Sequence, residues 1–520
     1  MTIFSTKISA LMQLNLVRSL FALILGIFLT LSFAPYYVFP LAIFAPMGLF
    51  FLWLYASPLA AFSLGWLFGI GFFGSGVYWV FHSIHVFGGI PNFPAGFITA
   101  LFIAILALFP ALTGFIINKY FSSPSPKTIP IKLIIAMPTI WVCSEWIRSW
   151  IFTGFPWLFI GYSQSISPLS GFAPIWGVYG VSLLTLITSG LIANAILQLY
   201  TQHFRSTYVS LFCVIIIWIL GAIFNLIPWT TASGPKIPIS LVQGNIPQAL
   251  KWSPEHLQLS LDTYADLTRP LWGKSKIIIW PEAAIPMTLQ DSSTYIDYMD
   301  TRARASHSYL ILGIPVQTVD EKGYYNSIIV LGEKRQIYLK RRLVPFGEFI
   351  PSLSILSRLF DMLNIPMSNM VPGKFDQFPL VIENTKILPS ICYEIAFPEL
   401  INLNDTDIGI LLTITNDAWF GRSSAQAQHL QMAAMRAQEF RRPLIFVSND
   451  GITAILDSYG KIDAAAPQYQ AYVLNGVVQA RIGKTPWMVL KTDCVLLILI
   501  LGLVSAIFMN RRARKDGRTI

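Results

Sequence analysis

The chain has 520 residues, of which only 12% are charged, against roughly 25% in soluble domains. Apolar residues make up 54% of the chain and its mean hydropathy is +0.59, which is more apolar surface than water-soluble domains of usual size bury. These figures exclude an ordinary soluble enzyme, and the 14% of aromatic residues excludes an intrinsically disordered chain. We therefore predict a folded protein that uses a lipid bilayer as part of its solvent.

Seven apolar stretches before residue 230 are long enough to cross a bilayer, whose hydrocarbon core of about 30 Å needs roughly 20 helical residues. Prolines mark several of the separators. The predicted spans cover residues 16–33, 36–55, 59–82, 94–116, 131–152, 178–200 and 207–228, and an eighth covers 493–509. The sequence thus predicts a polytopic α-helical membrane protein with about eight transmembrane helices. Glycines of the segment 69–74 are expected to allow close helix packing.

The distribution of basic residues predicts how these spans are oriented. Residues 1–229 hold seven basic side chains and one acidic, and residues 511–520 hold five and one. Cytoplasmic loops carry an excess of Lys and Arg. The loop cations share one side of the membrane if the N-terminus is cytoplasmic; they are Lys7, Arg18, Lys119, Lys127, Lys132 and Arg205. We therefore expect both termini in the cytoplasm and the segment between the seventh and eighth spans on the opposite face.

Three parts are predicted along the chain: a seven-helix membrane domain (1–229), a water-exposed domain (230–490), and a final helix with a basic tail (491–520). The water-exposed domain has a balanced charge, which argues against nucleic-acid binding. Short apolar runs that read as strands alternate there with helix-like stretches, which predicts a layered α/β domain. The predicted strands are Ile237–Val242, Ile277–Trp280, Tyr309–Ile314, Ser327–Leu331, Ile387–Ile391, Ile408–Ile414, Leu444–Val447 and Thr453–Asp457, and the predicted helices are Pro254–Leu267 and Ala425–Phe440.

Reactive side chains follow three strand-like segments of this domain. Glu282 comes after an apolar run, Lys340 lies in a cationic run, and Cys392 is the only cysteine of residues 230–490. Taken singly, each has an ordinary structural explanation: a surface acid, a solvated charged face and a small buried thiol. Together they supply the base, the cation and the nucleophile that thiol catalysis needs. A carboxylate base is favoured, because no histidine of the domain has the spacing of a triad; these histidines are His256, His307 and His429.

In this order, Glu282, Lys340 and Cys392 resemble the triad of the nitrilase or carbon–nitrogen hydrolase superfamily. The flanking sequences look like those of the apolipoprotein N-acyltransferase family over essentially the whole chain. The matching segments are 243–248, 251–252, 280–283, 325–327, 343–348, 392–394 and 416–421. The resemblance implies that the inserted α/β domain is a nitrilase-like α-β-β-α sandwich.

The family resemblance implies an enzyme of the bacterial inner (cytoplasmic) membrane with a periplasmic catalytic domain. In a ping-pong mechanism, an acyl chain, usually sn-1, moves from a phospholipid to Cys392 as a thioester, and then to the α-amine of diacylglyceryl-cysteine in an apolipoprotein. Glu282 is the implied general base and acid, and Lys340 and the amide of Tyr393 are implied oxyanion donors. Further matched positions support the site or bind substrate: Glu348, Tyr393, Glu394, Trp252, Asn326 and Trp157. A monomer is expected, and the sequence holds no cofactor motif.

Two alternatives remain open at the level of sequence. One is a membrane-tethered amidase or nitrilase that uses the same triad on a carbon–nitrogen bond, and the other is a transporter with an inert nitrilase-like domain. A metal site at His82 and His85 is not expected, since no further ligand is near. The chain departs from the family pattern at 448–451 and 485–487, and the apolar segment 352–370 is expected to cover the site.

Overall fold

A computed structural model describes residues 15–121, 125, 127–349, 369–399 and 407–516. Lys7 and most of the predicted cover at 352–370 lie outside these ranges. The chain divides into two compact units. One comprises Met1–Phe81, Phe93–Ile227 and Val489–Ile520, and the other comprises His82–Asn92 and Pro228–Met488.

The first unit consists of apolar helices. Their bounds are Asn15–Thr30, Leu41–Leu54, Pro58–Gly76, Asn92–Leu106, Leu108–Tyr120, Met137–Arg148 after a π-helical turn at Ile131–Ala136, Ala173–Tyr200, Phe204–Leu226 and Pro486–Asp516. Within the described ranges, five helical stretches are long and apolar enough to cross a membrane, and Asn15–Thr30 and Leu41–Leu54 are apolar but shorter. The membrane character of the chain is thus confirmed, whereas the number of eight spans stays a prediction.

Small residues let these helices pack closely. A Cβ atom on Gly71 would lie 2.2 Å from the carbonyl oxygen of Leu23, and one on Gly69 would lie 2.6 Å from the Cα of Ala107. Both approaches are possible only without a side chain. Gly69 and Gly71 therefore serve helix packing, as glycines commonly do in membrane helices, whereas a Cβ on Gly74 would have its nearest atom 4.0 Å away.

The second unit contains two six-stranded sheets. The strands are β1 Thr231–Gln243, β2 Ile277–Ile279, β3 Tyr309–Gln317, β4 Tyr324–Leu331, β5 Gln336–Leu339, β6 Leu380–Ile382, β7 Thr385–Ile391, β8 Ile410–Thr415, β9 Leu444–Ser448, β10 Ala454–Leu456, β11 Ile462–Ala465 and β12 Tyr472–Ile482. Each predicted strand falls on one of these twelve. The strand order is β12-β1-β2-β3-β4-β5 in one sheet and β11-β10-β9-β8-β7-β6 in the other.

The two sheets face each other and helices cover their outer faces. Leu257–Thr268 and Ser293–Ala305 pack their apolar side chains against β2, β3 and β4. Ala425–Phe440 packs beside β9 of the second sheet. The unit is therefore an α-β-β-α sandwich, the architecture that the resemblance implies.

Parallel pairing at the centre of each sheet places functional residues. Strands β1, β2 and β3 are parallel neighbours, and so are β7, β8 and β9, so their carboxyl ends share an edge within each sheet. Antiparallel pairing of β1 with β12 sets Thr231 opposite Ile482. The first and last strands of the domain thus lie side by side.

Candidate active site

Glu282 lies at the carboxyl end of β2, on a sharp turn. Its side chain is buried, and the next residue, Ala283, has a φ of +47°. A Cβ on Gly313 of β3 would lie 2.7 Å from the Cα of Glu282, so only glycine allows the two backbones to come this close. Lys251 Nζ donates to the backbone carbonyl of Glu282 at 3.1 Å. These contacts fix the backbone of Glu282 and so the position from which its carboxylate extends.

The Glu282 carboxylate receives a different set of donors on each oxygen. Asn326 Nδ2 donates to Oε1 at 2.6 Å, and Lys340 Nζ lies 3.4 Å from the same oxygen. The backbone N–H of Asn416 donates to Oε2 at 2.9 Å. Across the described ranges Oε2 accepts this single bond, so it keeps a lone pair on which a proton can be placed.

Lys340 follows β5 directly and lies between two carboxylates. Its Nζ donates to Glu348 Oε1 at 2.7 Å, and its side chain is 1% exposed. Asn326 Nδ2 also donates to Glu348 Oε1, at 3.0 Å, so one amide group bridges Glu282 and Glu348. Burial alone lowers the pKa of Lys340, but the charges of Glu348 and Glu282 outweigh it and the net pKa is raised. The ammonium therefore keeps its proton at neutral pH.

Cys392 directly follows β7 and begins the short 3-10 helix Cys392–Ala396. Its φ of +51° is left-handed, a conformation that costs a non-glycine residue roughly 1–2 kcal/mol. Burial and the negative charge of Glu282 raise the pKa of the thiol well above its ordinary value, although Lys340 opposes this. The thiol is thus protonated at neutral pH, and a base would have to take its proton for the sulfur to act as a nucleophile.

Glu394 accepts hydrogen bonds from the backbone next to Cys392 and next to Lys340. It is fully buried, and Oε2 accepts the N–H of Ile391 at 2.8 Å while Oε1 accepts those of Arg341 at 2.7 Å and Arg342 at 3.2 Å. The Tyr338 hydroxyl contacts both oxygens, at 2.9 and 3.0 Å. Burial raises the pKa of this carboxyl group, and the charge of Arg341 opposes the rise. One side chain therefore ties the turn of Cys392 to the segment that carries Lys340.

Four residues of the cluster were not among the predicted site residues. Asn416 supplies a backbone donor to Glu282, and Lys251 binds the carbonyl of the same residue. The Thr415 hydroxyl hydrogen-bonds with the Cys392 thiol. His429 Nε2 contacts the backbone carbonyl oxygen of Cys392 at 3.0 Å, so a histidine that was set aside for its sequence spacing lies next to Cys392.

The remaining predicted residues differ in how close they lie to this cluster. Tyr393 is buried next to Cys392, and its ring packs edge-on against Phe397. Trp252 is half-buried and ends the short helix Gln248–Lys251, next to a residue that contacts Glu282. Trp157 belongs to the first unit and is buried there.

Trp157 is held in a loop of the first unit by the charged end of the helix Met137–Arg148. Arg148 Nη1 donates to the carbonyl oxygen of Trp157 at 2.5 Å and to that of Phe155 at 3.1 Å. Glu145 accepts the N–H of Ile160 at 2.8 Å. The Trp157 ring packs against that of Trp79, with centroids 5.1 Å apart.

In the part of the chain that the structure describes, no group of three or more His, Cys, Asp or Glu side chains is arranged to hold a metal ion. His85 uses its Nδ1 to contact the carbonyl oxygen of Ile90 at 2.7 Å. The chemistry available at the cluster is that of a buried thiol with a carboxylate base and an ammonium donor, which suits attack on a carbonyl carbon.

Two family models match the chain, one for each compact unit. Residues 25–191 match the apolipoprotein N-acyltransferase N-terminal domain, and residues 239–486 match carbon-nitrogen hydrolase. Among solved structures, a CN-hydrolase superfamily protein from Xanthomonas campestris aligns with a TM-score of 0.37 and 19% identity, over 47% of this chain and 91% of its own. A carbon-nitrogen hydrolase from Helicobacter pylori aligns with a TM-score of 0.36 and 14% identity, over 46% and 88%.

Curated relatives match nearly the full length. A Coxiella burnetii protein named apolipoprotein N-acyltransferase is 42% identical over 472 residues, which is 91% of this chain and 96% of the relative. A Vibrio cholerae protein of the same name is 38% identical over 511 residues, or 96% of this chain and 99% of the relative. Both the membrane unit and the hydrolase-like unit are therefore shared, and the chain belongs to the apolipoprotein N-acyltransferase family.

Proposed function

We propose that this acyltransferase moves the sn-1 acyl chain of a phospholipid, through a thioester on Cys392, to the α-amine of diacylglyceryl-cysteine in an apolipoprotein. The observation that carries the proposal is the buried cluster in which Glu282, Lys340 and Cys392 meet, within a chain of this family. A carboxylate with a free acceptor position, a protonated thiol and a permanent ammonium are the groups that ester cleavage by a thiol requires.

In the first half-reaction, the thiol of Cys392 attacks the ester carbonyl while its proton moves to Oε2 of Glu282. The electron pair of the carbonyl becomes an oxyanion, which Lys340 Nζ and the backbone N–H of Tyr393 stabilise. Collapse of this intermediate breaks the ester C–O bond. The leaving alkoxide of the lysophospholipid takes the proton back from Glu282, so the carboxylate is again a base when the thioester has formed.

In the second half-reaction, the free α-amine of the acceptor attacks the thioester carbonyl. Glu282 takes a proton from the attacking nitrogen and returns it to the sulfur of Cys392 as the C–S bond breaks, which leaves an amide and the resting thiol. Asn326 supports both steps, because its amide group keeps Glu282 and Glu348 in a fixed geometry around Lys340. Water has to be excluded from the thioester, since hydrolysis would waste the acyl chain.

The two lipid substrates explain why the enzyme is built into a membrane. Both keep their acyl chains in the bilayer, so a catalytic domain tethered to the membrane reaches the ester without lifting the lipid out of it. We place the chain in the bacterial inner membrane with seven spans in residues 1–229, a periplasmic domain at 230–490, and a final span with a cytoplasmic tail at 491–520. Trp252 and Trp157 are proposed to contact lipid, and the enzyme is proposed to act as a monomer.

Intact-protein mass spectrometry tests the thioester step directly. The purified enzyme is incubated with a phospholipid of defined sn-1 chain, and Cys392→Ala is compared with Cys213→Ala, which removes a thiol from the helix Phe204–Leu226. We expect an acyl-sized, hydroxylamine-labile mass increase in the wild type and in Cys213→Ala, and none in Cys392→Ala. A diacylated lipopeptide added afterwards should discharge the adduct and gain the same mass.

The outcomes separate this function from its alternatives. An adduct that is discharged by water and not by the lipopeptide would indicate a membrane-tethered hydrolase. Absence of any adduct under conditions that support turnover would contradict the covalent mechanism. For the topology, a green fluorescent protein fused after Ile520 should fluoresce in intact cells, and protease added to spheroplasts should cut the 230–490 domain; a dark fusion would contradict the cytoplasmic C-terminus.

A further inference from the structure

His429 is a fully buried histidine whose two ring nitrogens both contact fixed groups. It lies on the helix Ala425–Phe440, which packs beside β9. Its Nε2 lies 3.0 Å from the backbone carbonyl oxygen of Cys392, and its Nδ1 lies 3.0 Å from Asp417 Oδ1. The rings of Phe420 and Phe446 stand edge-on to the imidazole. The side chain therefore has one orientation, in which Nε2 points at the backbone carbonyl oxygen of Cys392.

The partners of His429 determine which nitrogen donates. A carbonyl oxygen only accepts hydrogen bonds, so Nε2 carries a hydrogen and donates it to Cys392. Nδ1 and Asp417 Oδ1 share one proton between them, whichever of the two atoms holds it. The bond from Nε2 to the Cys392 carbonyl exists in both cases, because a partner at one ring nitrogen fixes the role of the other.

A bond to the Cys392 carbonyl also sets the direction of the next N–H group. The carbonyl of Cys392 and the N–H of Tyr393 belong to the same planar, trans peptide unit, so they point in opposite directions. Holding the oxygen toward His429 turns the N–H of Tyr393 away from His429. A hydrogen bond to the oxygen also polarises the peptide and strengthens its N–H as a donor.

Asp417 connects this arrangement to the thiol itself. Its Oδ1 accepts the Thr415 hydroxyl at 2.8 Å, and the same hydroxyl hydrogen-bonds with the Cys392 thiol. Cys392 is thus held at its sulfur through Thr415 and at its carbonyl through His429, and both contacts meet at one carboxylate oxygen. The left-handed backbone of Cys392 needs such support, since strained conformations persist only where the surroundings fix them.

We propose that His429, fixed by Asp417, is a positioning residue that aims the N–H of Tyr393 at the oxyanion formed on the substrate carbonyl. His429 touches neither substrate nor the reacting atoms and acts through the peptide unit between Cys392 and Tyr393. The inference rests on the proposed function, because it refines how the oxyanion of the two half-reactions is stabilised.

Substitution of His429 by Gln, Asn or Phe distinguishes a histidine that positions the peptide group from one that only fills space. The amide nitrogen of Gln reaches the place of Nε2, that of Asn reaches the place of Nδ1, and Phe keeps the ring without any donor. The rate of thioester formation is measured by rapid quenching and intact-protein mass spectrometry at saturating phospholipid. The melting temperature of each variant is measured as well, to check that it is folded. Loss of one oxyanion donor slows acyl transfer by about 100- to 1,000-fold. We expect a fall of that order in His429→Phe and His429→Asn, and recovery to within about tenfold of the wild-type rate in His429→Gln.

The order of the rates decides the question. A histidine that only fills space would be replaced best by Phe, which keeps a ring, and worst by Asn, the smallest of the three, so a His429→Phe variant as fast as His429→Gln overturns the proposal, and so do equal rates in the Gln and Asn variants. If the Phe variant melts early, His429→Met takes its place, since Met has nearly the size and shape of Gln without its donor; a Met variant as fast as His429→Gln then overturns the proposal. His307→Asn, at an exposed position with left-handed backbone that Asn tolerates, is the control. A wild type that forms no thioester would instead contradict the proposed function.

Discussion

The substitution Glu394→Gln changes one oxygen into an NH₂ group beneath the catalytic turn. Among the described residues, every hydrogen-bonding partner of this buried carboxylate is a donor: three backbone N–H groups and the hydroxyl of Tyr338. If the Gln oxygen keeps the N–H groups of Arg341 and Arg342, its NH₂ group faces the N–H of Ile391, and two donors meet. The peptide that leads into Cys392 then loses its anchor.

The size of the effect follows from these contacts. An unpaired buried polar group costs about 1–3 kcal/mol, and breaking a buried charged network costs about 3–5 kcal/mol in all. For a domain of this size each kcal/mol lowers the melting temperature by about 2–4 °C, so a drop of about 10 °C is expected. Thioester formation should fall about 100-fold, since a displacement of about 1 Å in a catalytic group has that effect.

Thermal melting followed by tryptophan fluorescence and the mass-spectrometric thioester assay measure the two effects. Glu383→Gln is the matched control: its carboxylate pairs with Lys276 at 2.6 Å, but the side chain is 53% exposed. Exposed ion pairs contribute about 0–1 kcal/mol, so this variant should melt within about 3 °C of the wild type. A Glu394→Gln enzyme that melts and acylates like Glu383→Gln would refute the reasoning.

Three further predictions concern single groups. Because Glu282 raises the pKa of the Cys392 thiol, Glu282→Gln should lower the pH midpoint of thiol alkylation by iodoacetamide by about 1–2 units; an unchanged or higher midpoint would contradict the charge effect. Gly313→Ala puts a Cβ 2.6 Å from a backbone nitrogen of the turn that carries Glu282, so we expect a lower melting temperature and at least a tenfold slower acylation. The control is Gly74→Ala, whose Cβ would have its nearest atom 4.0 Å away and which should melt at the wild-type temperature. Burial raises the pKa of Asp450 from 3.8 to about 6, so the folded protein binds a proton more tightly than the unfolded chain and loses stability as the pH rises from about 4 to 6. Asp450→Asn should remove this loss of stability, which amounts to about 1–3 kcal/mol. Equal pH dependence of the melting temperature in the wild type and the variant would disprove the prediction.

Strands that are buried on both faces could be predicted from the sequence, since continuous branched apolar runs such as Ile277–Ile279 have few other structures available. The four strands at the sheet edges, β5, β6, β11 and β12, were not predicted. β12 is eleven residues long, yet most of its residues are exposed or half-exposed, and Asn475, Gln479 and Arg481 interrupt its apolar pattern. Its strand structure comes from pairing with β1, which local sequence does not reveal. The helix Ser293–Ala305 was missed because it carries few apolar residues.

For the site, the motif order led to Glu282, Lys340 and Cys392, and the structure brings these three together. The surrounding contacts could not be predicted, because they join residues far apart in sequence. His429 was set aside for its spacing, but it meets Cys392 across 37 positions by way of a helix whose residues are almost all buried. That helix is rich in polar residues, so hydrophobic periodicity would place it at the surface.

The division of the site between the two sheets has a consequence for when the enzyme becomes reactive. Glu282 and Lys340 follow strands of one sheet, whereas Cys392 follows a strand of the other. Glu282 and Lys340 leave the ribosome before Cys392, and the two sheets have to pack together before the three side chains can meet. Under the proposed mechanism, a domain whose sheets have not packed together cannot transfer an acyl chain, so acyl transfer would measure the packing of the two sheets as well as the presence of each residue.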